Sequence, residues 1–185
     1  MRQTFHLAFS GIIAALSVLL MLTTGLIPSA TLALPALSGM LLIAVVIESG
    51  KRWAWITYGA VALISLLLTP DPAAAWVFLL FFGYYPILKS LIEGLRKPLL
   101  EWALKLFSAN LALAALAAVA IWVFQAEALI TGDLADLLGK AALPISWVIL
   151  NAVFVLYDIA LTKLIVLYLG RIRPKYIDKL RRNFR

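Results

Sequence analysis

The sequence predicts an all-α polytopic membrane protein, a bundle of six transmembrane helices with both termini cytoplasmic. Three observations predict it. Hydrophobic residues make up 64% of the 185-residue chain and mean hydropathy is +1.03, whereas soluble domains are roughly half apolar. The apolar residues fall into six long runs, and the charges gather mostly between them. Each run is comparable with the roughly 20 residues that one bilayer crossing needs.

The first span is expected over residues 5–27, closed by Gly25 and Pro28. It is longer than the apolar core of a secretory leader, about 7–15 residues, and further spans follow it, so it reads as an uncleaved helix. The second covers residues 31–47, with Pro35 in its first turns, where a missing N–H is cheap. It stops at Glu48-Ser49-Gly50. The third covers 53–68 and ends at Thr69-Pro70-Asp71-Pro72. The fourth covers 73–95 and ends at Arg96-Lys97-Pro98, and the fifth covers 99–124. The sixth covers 142–169, longer than the hydrocarbon core, so it must tilt or extend into the cytoplasm. Residues 1–170 thus form one transmembrane domain, and 171–185 form a basic cytoplasmic tail.

Orientation follows from the lysine and arginine bias. With the N-terminus inside, Lys51, Arg52, Lys89, Arg96, Lys97 and the tail all fall on the inner side. Asp71, Glu127, Asp133 and Asp136 fall outside, with Lys140 as the one outer base. The tail from Arg171 to Arg185 carries a charge of +6 and the rest of the chain only +1. Such a tail lies on anionic lipid and sets topology, so no nucleic-acid partner is expected. The six Trp fit the same frame: Trp53, Trp55 and Trp102 near the inner face, Trp76, Trp122 and Trp147 near the outer one. Rings of this kind anchor at headgroup depth. The outer segment 125–144 is long and acidic, and reads either as a solvated linker or as a lid over an outward-facing pocket.

Composition excludes several chemistries. There is no Cys, so disulfides and thiolate sites are excluded, and the single His, His6, precludes a multi-histidine metal site. No Walker-type loop, G-x-S-x-G elbow or H-E-x-x-H motif occurs. The chain therefore reads as a non-enzyme without cofactor or metal. Energy for active transport would have to come from another subunit or an ion gradient.

Polar groups at membrane depth are the informative positions, because each is expensive unless paired or wet. Asp158 falls near the middle of the sixth span. Asn151 precedes it by seven residues on nearly the same face, and Thr162 follows by four. Asn110 sits at mid-depth in the fifth span, near Ser108. Lys105 follows Glu101 at i,i+4, the favourable order for an interfacial ion pair. In the fourth span, Phe81-Phe82-Gly83-Tyr84-Tyr85-Pro86 leads toward Lys89. Pro86 removes a backbone donor and Gly83 permits a bend, so Tyr84 and Tyr85 line either a pocket or a packing contact. Asp158 is either a fastening, paired with Lys89 or Lys105, or a contact for a polar ligand or transported cation. Small residues on the first helix, Ala8, Gly11, Ala14 and Ala15, suit close helix packing, within the chain or against another membrane subunit.

Six helices in 185 residues, both termini inside, the opening FHLAFSGIIAALSVLLM and the absence of a nucleotide site together resemble the substrate-binding S components of energy-coupling factor transporters. The resemblance covers the whole chain in topology. In that family an Ala-x-x-x-Ala face of the first helix docks on a transmembrane coupling subunit. Here Gly11 with Ala15, and Ser10 with Ala14, stand at that spacing. The resemblance implies a vitamin- or metal-type small ligand captured from outside, with uptake driven by partner ATPases in a bacterial cell membrane. The scarcity of His argues against the cobalt and nickel members. The resulting expectation is a ligand-binding subunit using Asp158, Asn151, Asn110, Tyr84, Tyr85 and Lys89. The alternatives are a non-transport membrane interaction protein, in which Asp158 is structural, and a small ion-coupled carrier switched by Asp158.

Overall fold

The computed structural model describes residues 2–27, 30–124 and 142–177, and among them all regular structure is helical. Helix α1 (Arg2–Leu22) tightens into a 3₁₀ turn, Thr23–Leu26. Helices α2 (Ala33–Glu48) and α3 (Lys51–Leu68) form an antiparallel pair. Their link is only Ser49-Gly50, and Gly50 adopts φ 85°, a conformation that side chains with a Cβ rarely take. Helix α4 (Pro72–Val77) starts on Asp71, whose carboxylate accepts the Ala74 N–H at 3.2 Å, with Pro72 in the first helical turn. It passes through a π-helical stretch, Phe78–Phe82, into α5 (Tyr85–Ile92) and the 3₁₀ turn Glu93–Leu95. Helix α6 (Pro98–Trp122) follows. The last helix, α7 (Ala142–Leu167), continues as a π-helix, Tyr168–Ile177.

Four stretches are long and apolar enough to cross a membrane: Gln3–Leu26, Pro72–Leu95, Pro98–Trp122 and Pro144–Lys175. The 16 residues of α2 span about 24 Å at a helical rise of about 1.5 Å per residue, short of a core of about 30 Å. Helix α3 has 18 residues but opens on Lys51 and Arg52. The expected break in the fourth run is present. Pro86 cannot donate to the Phe82 carbonyl one turn earlier. The helix there is underwound into a wider turn, with the Gly83 N–H bonding Phe78 O at 2.8 Å, five residues back.

Two apolar clusters make the core, and α2 sits between them. Its Leu42 and Val45 pack with Ile13, Met21, Val61, Phe78 and Ile87. Its Ile43 faces the other way, onto Phe82, Tyr85, Phe154, Tyr157 and Leu161. This central place accounts for Gly39: a Cβ there would overlap the Phe82 carbonyl and meet the Tyr157 hydroxyl at 3.0 Å. Helices α1 and α2 are joined by a reciprocal pair, Ser17 Oγ to Ser38 O at 3.4 Å and Ser38 Oγ to Ser17 O at 3.3 Å. The internal face of α1 is therefore Ser10, Ile13, Ser17 and Met21. Ala8, Gly11 and Ala15 point away from the bundle, and Ala14 is half-buried against the first cluster. On the outside, Leu67, Leu7, Phe107, Val148 and Leu156 are exposed, an extent of apolar surface that a water-soluble monomer rarely shows.

The connections alternate between two ends. Gly25, after α1, lies against Pro70 of the α3–α4 link. At the opposite end, buried Glu48 closing α2 pairs with Arg173 beyond α7 at 3.1 Å. Helical winding thus runs past residue 171, where the tail begins in the sequence. Of the expected outer segment 125–144, residues 142–144 already belong to α7; residues 125–141, with Glu127, Asp133, Asp136 and Lys140, and the tail residues 178–185 lie outside the described residues.

Candidate functional site

Helices α5, α6 and α7 bring a set of ionisable side chains to one place. On α5 and the first residue of the turn after it, Tyr85, Lys89 and Glu93 recur every four residues and so share a face. On α6, Lys105 begins the buried row Lys105, Ala109, Ala112 and Leu113. On α7, Asp158 lies in the buried row Phe154, Tyr157, Asp158 and Leu161. Spacings of three and four put each row on one helix face, and each row turns toward the others.

At the centre is Asp158. Its Oδ1 accepts from Tyr85 Oη at 2.7 Å and from Lys89 Nζ, and its Oδ2 accepts from Lys105 Nζ at 3.2 Å. Lys89 Nζ also donates to the Asp158 carbonyl at 3.3 Å, an oxygen shared with Thr162 Oγ1 at 2.9 Å. Glu93 closes the cluster: its Oε1 lies 2.9 Å from Lys89 Nζ and 2.8 Å from Lys105 Nζ. Lys105 further sits 5.5 Å from the centre of the Trp102 ring, within cation–π range. Two lysines thus face two carboxylates, and the cluster is neutral overall. Neutrality matters because a buried charge left without a partner is strongly destabilising. The ring of Tyr85, whose hydroxyl bonds Asp158, packs edge-on against Phe154 and tilted against Tyr157.

A second, uncharged cluster lies two turns along α7, about 10 Å by helical rise. Asn110 and Asn151 exchange side-chain hydrogen bonds at 3.0 and 3.3 Å, and the Trp147 indole donates to Asn110 Oδ1 at 2.7 Å. Asn151 also returns to the Trp147 carbonyl at 2.9 Å. Tyr84 belongs to neither cluster; its hydroxyl reaches the Ser108 carbonyl at 3.4 Å.

Of the six expected ligand contacts, Asp158, Lys89 and Tyr85 therefore converge, Asn110 and Asn151 form a separate pair, and Tyr84 ties α6 to the residue just before α5. The expected Glu101–Lys105 pair is replaced. Lys105 faces inward and pairs with Glu93 and Asp158, since a buried ammonium takes the nearest buried carboxylates over one on the rim. Sequence reasoning missed Glu93, although its i,i+4 spacing from Lys89 was a usable signal. It also treated Trp147 as an anchor only. The Glu48–Arg173 pair had no signal, because the two residues are far apart in the chain.

Comparison with known proteins returns no matching family model, no matching curated protein and no matching solved structure. Among the described residues there is no His, Cys, Asp and Glu group able to hold a metal ion. What the arrangement can do chemically is hold charged or amide-bearing groups in an apolar surround, through preplaced donors and acceptors.

Proposed function

We propose that this chain is an integral membrane protein of six spans with both termini cytoplasmic. It acts as the small-molecule-binding subunit of an uptake transporter whose ATPases are separate chains. The observation that carries this reading is the charged cluster of Asp158, Lys89, Lys105 and Glu93, with Tyr85 beside it, at the junction of three helices. Ionisable residues inside a transmembrane bundle mark ligand or ion sites by default, because burial is so costly. The amide cluster of Asn110 and Asn151 supplies uncharged contacts further along the same helices. The small face of α1 with Ala8, Gly11 and Ala15 is exposed and suits a coupling subunit in the membrane. With no nucleotide-binding motif in the chain, this reading takes its energy from partner ATPases.

A pull-down of the tagged chain from its native membranes in mild detergent, with mass spectrometry, tests this reading. Stoichiometric recovery of a transmembrane subunit and ATPases is expected. Recovery of the chain alone would overturn it. That outcome favours a second reading, a structural membrane protein in which the cluster is a fastening. Its support is that both Asp158 oxygens are already taken by Tyr85 and the lysines.

A further inference from the structure

A cleft of about 190 Å³ adjoins the cluster at the end of the bundle where Glu48 meets Arg173. Ile43, Val46 and Ile47 of α2, Pro86 of α5 and Ile165 of α7 form its apolar walls, and Ser90 and Glu93 are its polar lining. At about 30 Å³ per water-sized group, it holds about six such groups. Its chemistry is that of an amphipathic guest, with one polar end at Glu93 and an apolar remainder.

Glu93 differs from the other charged members of the cluster. The side chains of Lys89, Lys105 and Asp158 are 1%, 7% and 5% exposed, and that of Glu93 is 37% exposed. Both lysines meet the same oxygen of Glu93. It also opens the short 3₁₀ turn Glu93–Leu95, after which Arg96 takes a left-handed conformation, φ 54°. Glu93 is thus the one member whose side chain can turn out into the cleft mouth without repacking a helix. With Glu93 turned away, Asp158 and two lysines remain, a net charge of +1 in a buried place. Such a charge calls for a monoanion. Two ammonium groups converging where a carboxylate oxygen sat specify another carboxylate.

We propose that this cleft binds a small monocarboxylic acid with an apolar tail. The guest carboxylate takes the place of Glu93 on Lys89 and Lys105, and its tail lies against Ile43, Val46, Ile47 and Ile165. Glu93 is then a resident competitor that keeps the cluster neutral when the cleft is empty. Binding exchanges one carboxylate for another, so affinity is limited by the Glu93 contact it displaces. The site shares Lys89 and Asp158 with the function proposed above but requires no partner subunit, so this inference and the pull-down fail independently.

The test is a hexanoate titration of the full chain in mild detergent, with unfolding followed by tryptophan fluorescence. Hexanamide, hexylamine and sodium chloride at equal ionic strength serve as controls. A saturable rise in Tm is expected with hexanoate alone. In Glu93→Ala, half-saturation is expected at a concentration at least tenfold lower. Glu93→Gln, which keeps the side-chain shape, is expected to shift the same way and serves if the alanine variant does not fold. A rise with hexanoate identifies a free short-chain acid, and a rise confined to palmitate, whose tail is far longer than the cleft, would overturn the proposal. Equal responses to hexanamide or chloride would overturn the proposal. So would half-saturation at one concentration in wild type and both variants.

Discussion

Asp158 is held by three side chains, Tyr85, Lys89 and Lys105, and its worth depends on the charges around it rather than on the residue alone. Removing its charge leaves Lys89 and Lys105 facing Glu93 only. Breaking a buried pair from one side is worth about 3–5 kcal/mol, so Asp158→Asn is expected to melt well below wild type in detergent. Lys105→Gln added to it restores neutrality, with Lys89 still paired to Glu93. The double variant is therefore expected to melt closer to wild type than Asp158→Asn does. A double variant that loses stability additively would show that charge balance is not what the cluster supplies. At this scale the sequence was partly legible. A carboxylate inside an apolar run stands out by its cost, and Lys89 and Lys105 were the obvious partners. Glu93 did not stand out, because it sits at the end of a run, where acids are ordinary. Its importance comes from the fold bringing α6 back beside α5.

Helix packing in the first half of the bundle rests on one close approach and one polar pair, and these differ in strength. At Gly39 the backbone of α2 meets the backbone of the π-helical stretch at Phe82. A carbonyl cannot move aside as a flexible side chain can, and overpacking costs about 1–3 kcal/mol. Ser38, one residue away, exchanges long hydrogen bonds with Ser17, at 3.3 and 3.4 Å. Interhelical bonds of this kind average about 0.6 kcal/mol in membranes. Gly39→Ala is therefore expected to lower Tm more than Ser38→Ala, in the same detergent. The reverse order would mean that the serine pair, and not the close approach, seats α2. Element positions were legible in advance, since Pro28, Pro72, Pro98 and Gly50 punctuate the apolar runs. The break at Pro86 was legible too, because a missing N–H must free the Phe82 carbonyl. The faces of α1 were not. Small residues occur on two of its sides, and only the positions of α2 and α3 decide that Ser10 and Ser17 turn inward while Gly11 and Ala15 do not.

Across the whole molecule, the alternation of ends carries the argument for topology. Gly25 against Pro70 places the end of α1 beside the α3–α4 link. Glu48 against Arg173, and the cleft shared by Ile47, Glu93 and Ile165, gather the ends of α2, α5 and α7 at the other pole. That second pole also holds Lys51, Arg52, Arg96, Lys97 and Arg171 by their places in the chain. A cluster of bases at one pole is the pattern of a cytoplasmic face. The short α2 fits this frame because it is the central helix, enclosed by its neighbours and not obliged to meet lipid along its length. The chain has no Cys, so single cysteines report position without interference. Arg52→Cys and Asp133→Cys are separated by the runs of α3, α4–α5 and α6. Three crossings put them on opposite sides, and two put them on the same side. A membrane-impermeant maleimide on intact cells is expected to label Asp133→Cys at once and Arg52→Cys only after permeabilisation. Labelling of both from outside would remove one crossing between them, and α3, which opens on two charges, would be the helix to give up. Labelling of Arg52→Cys alone would keep the number of crossings and invert the molecule. The Glu93 cleft would then open to the outside.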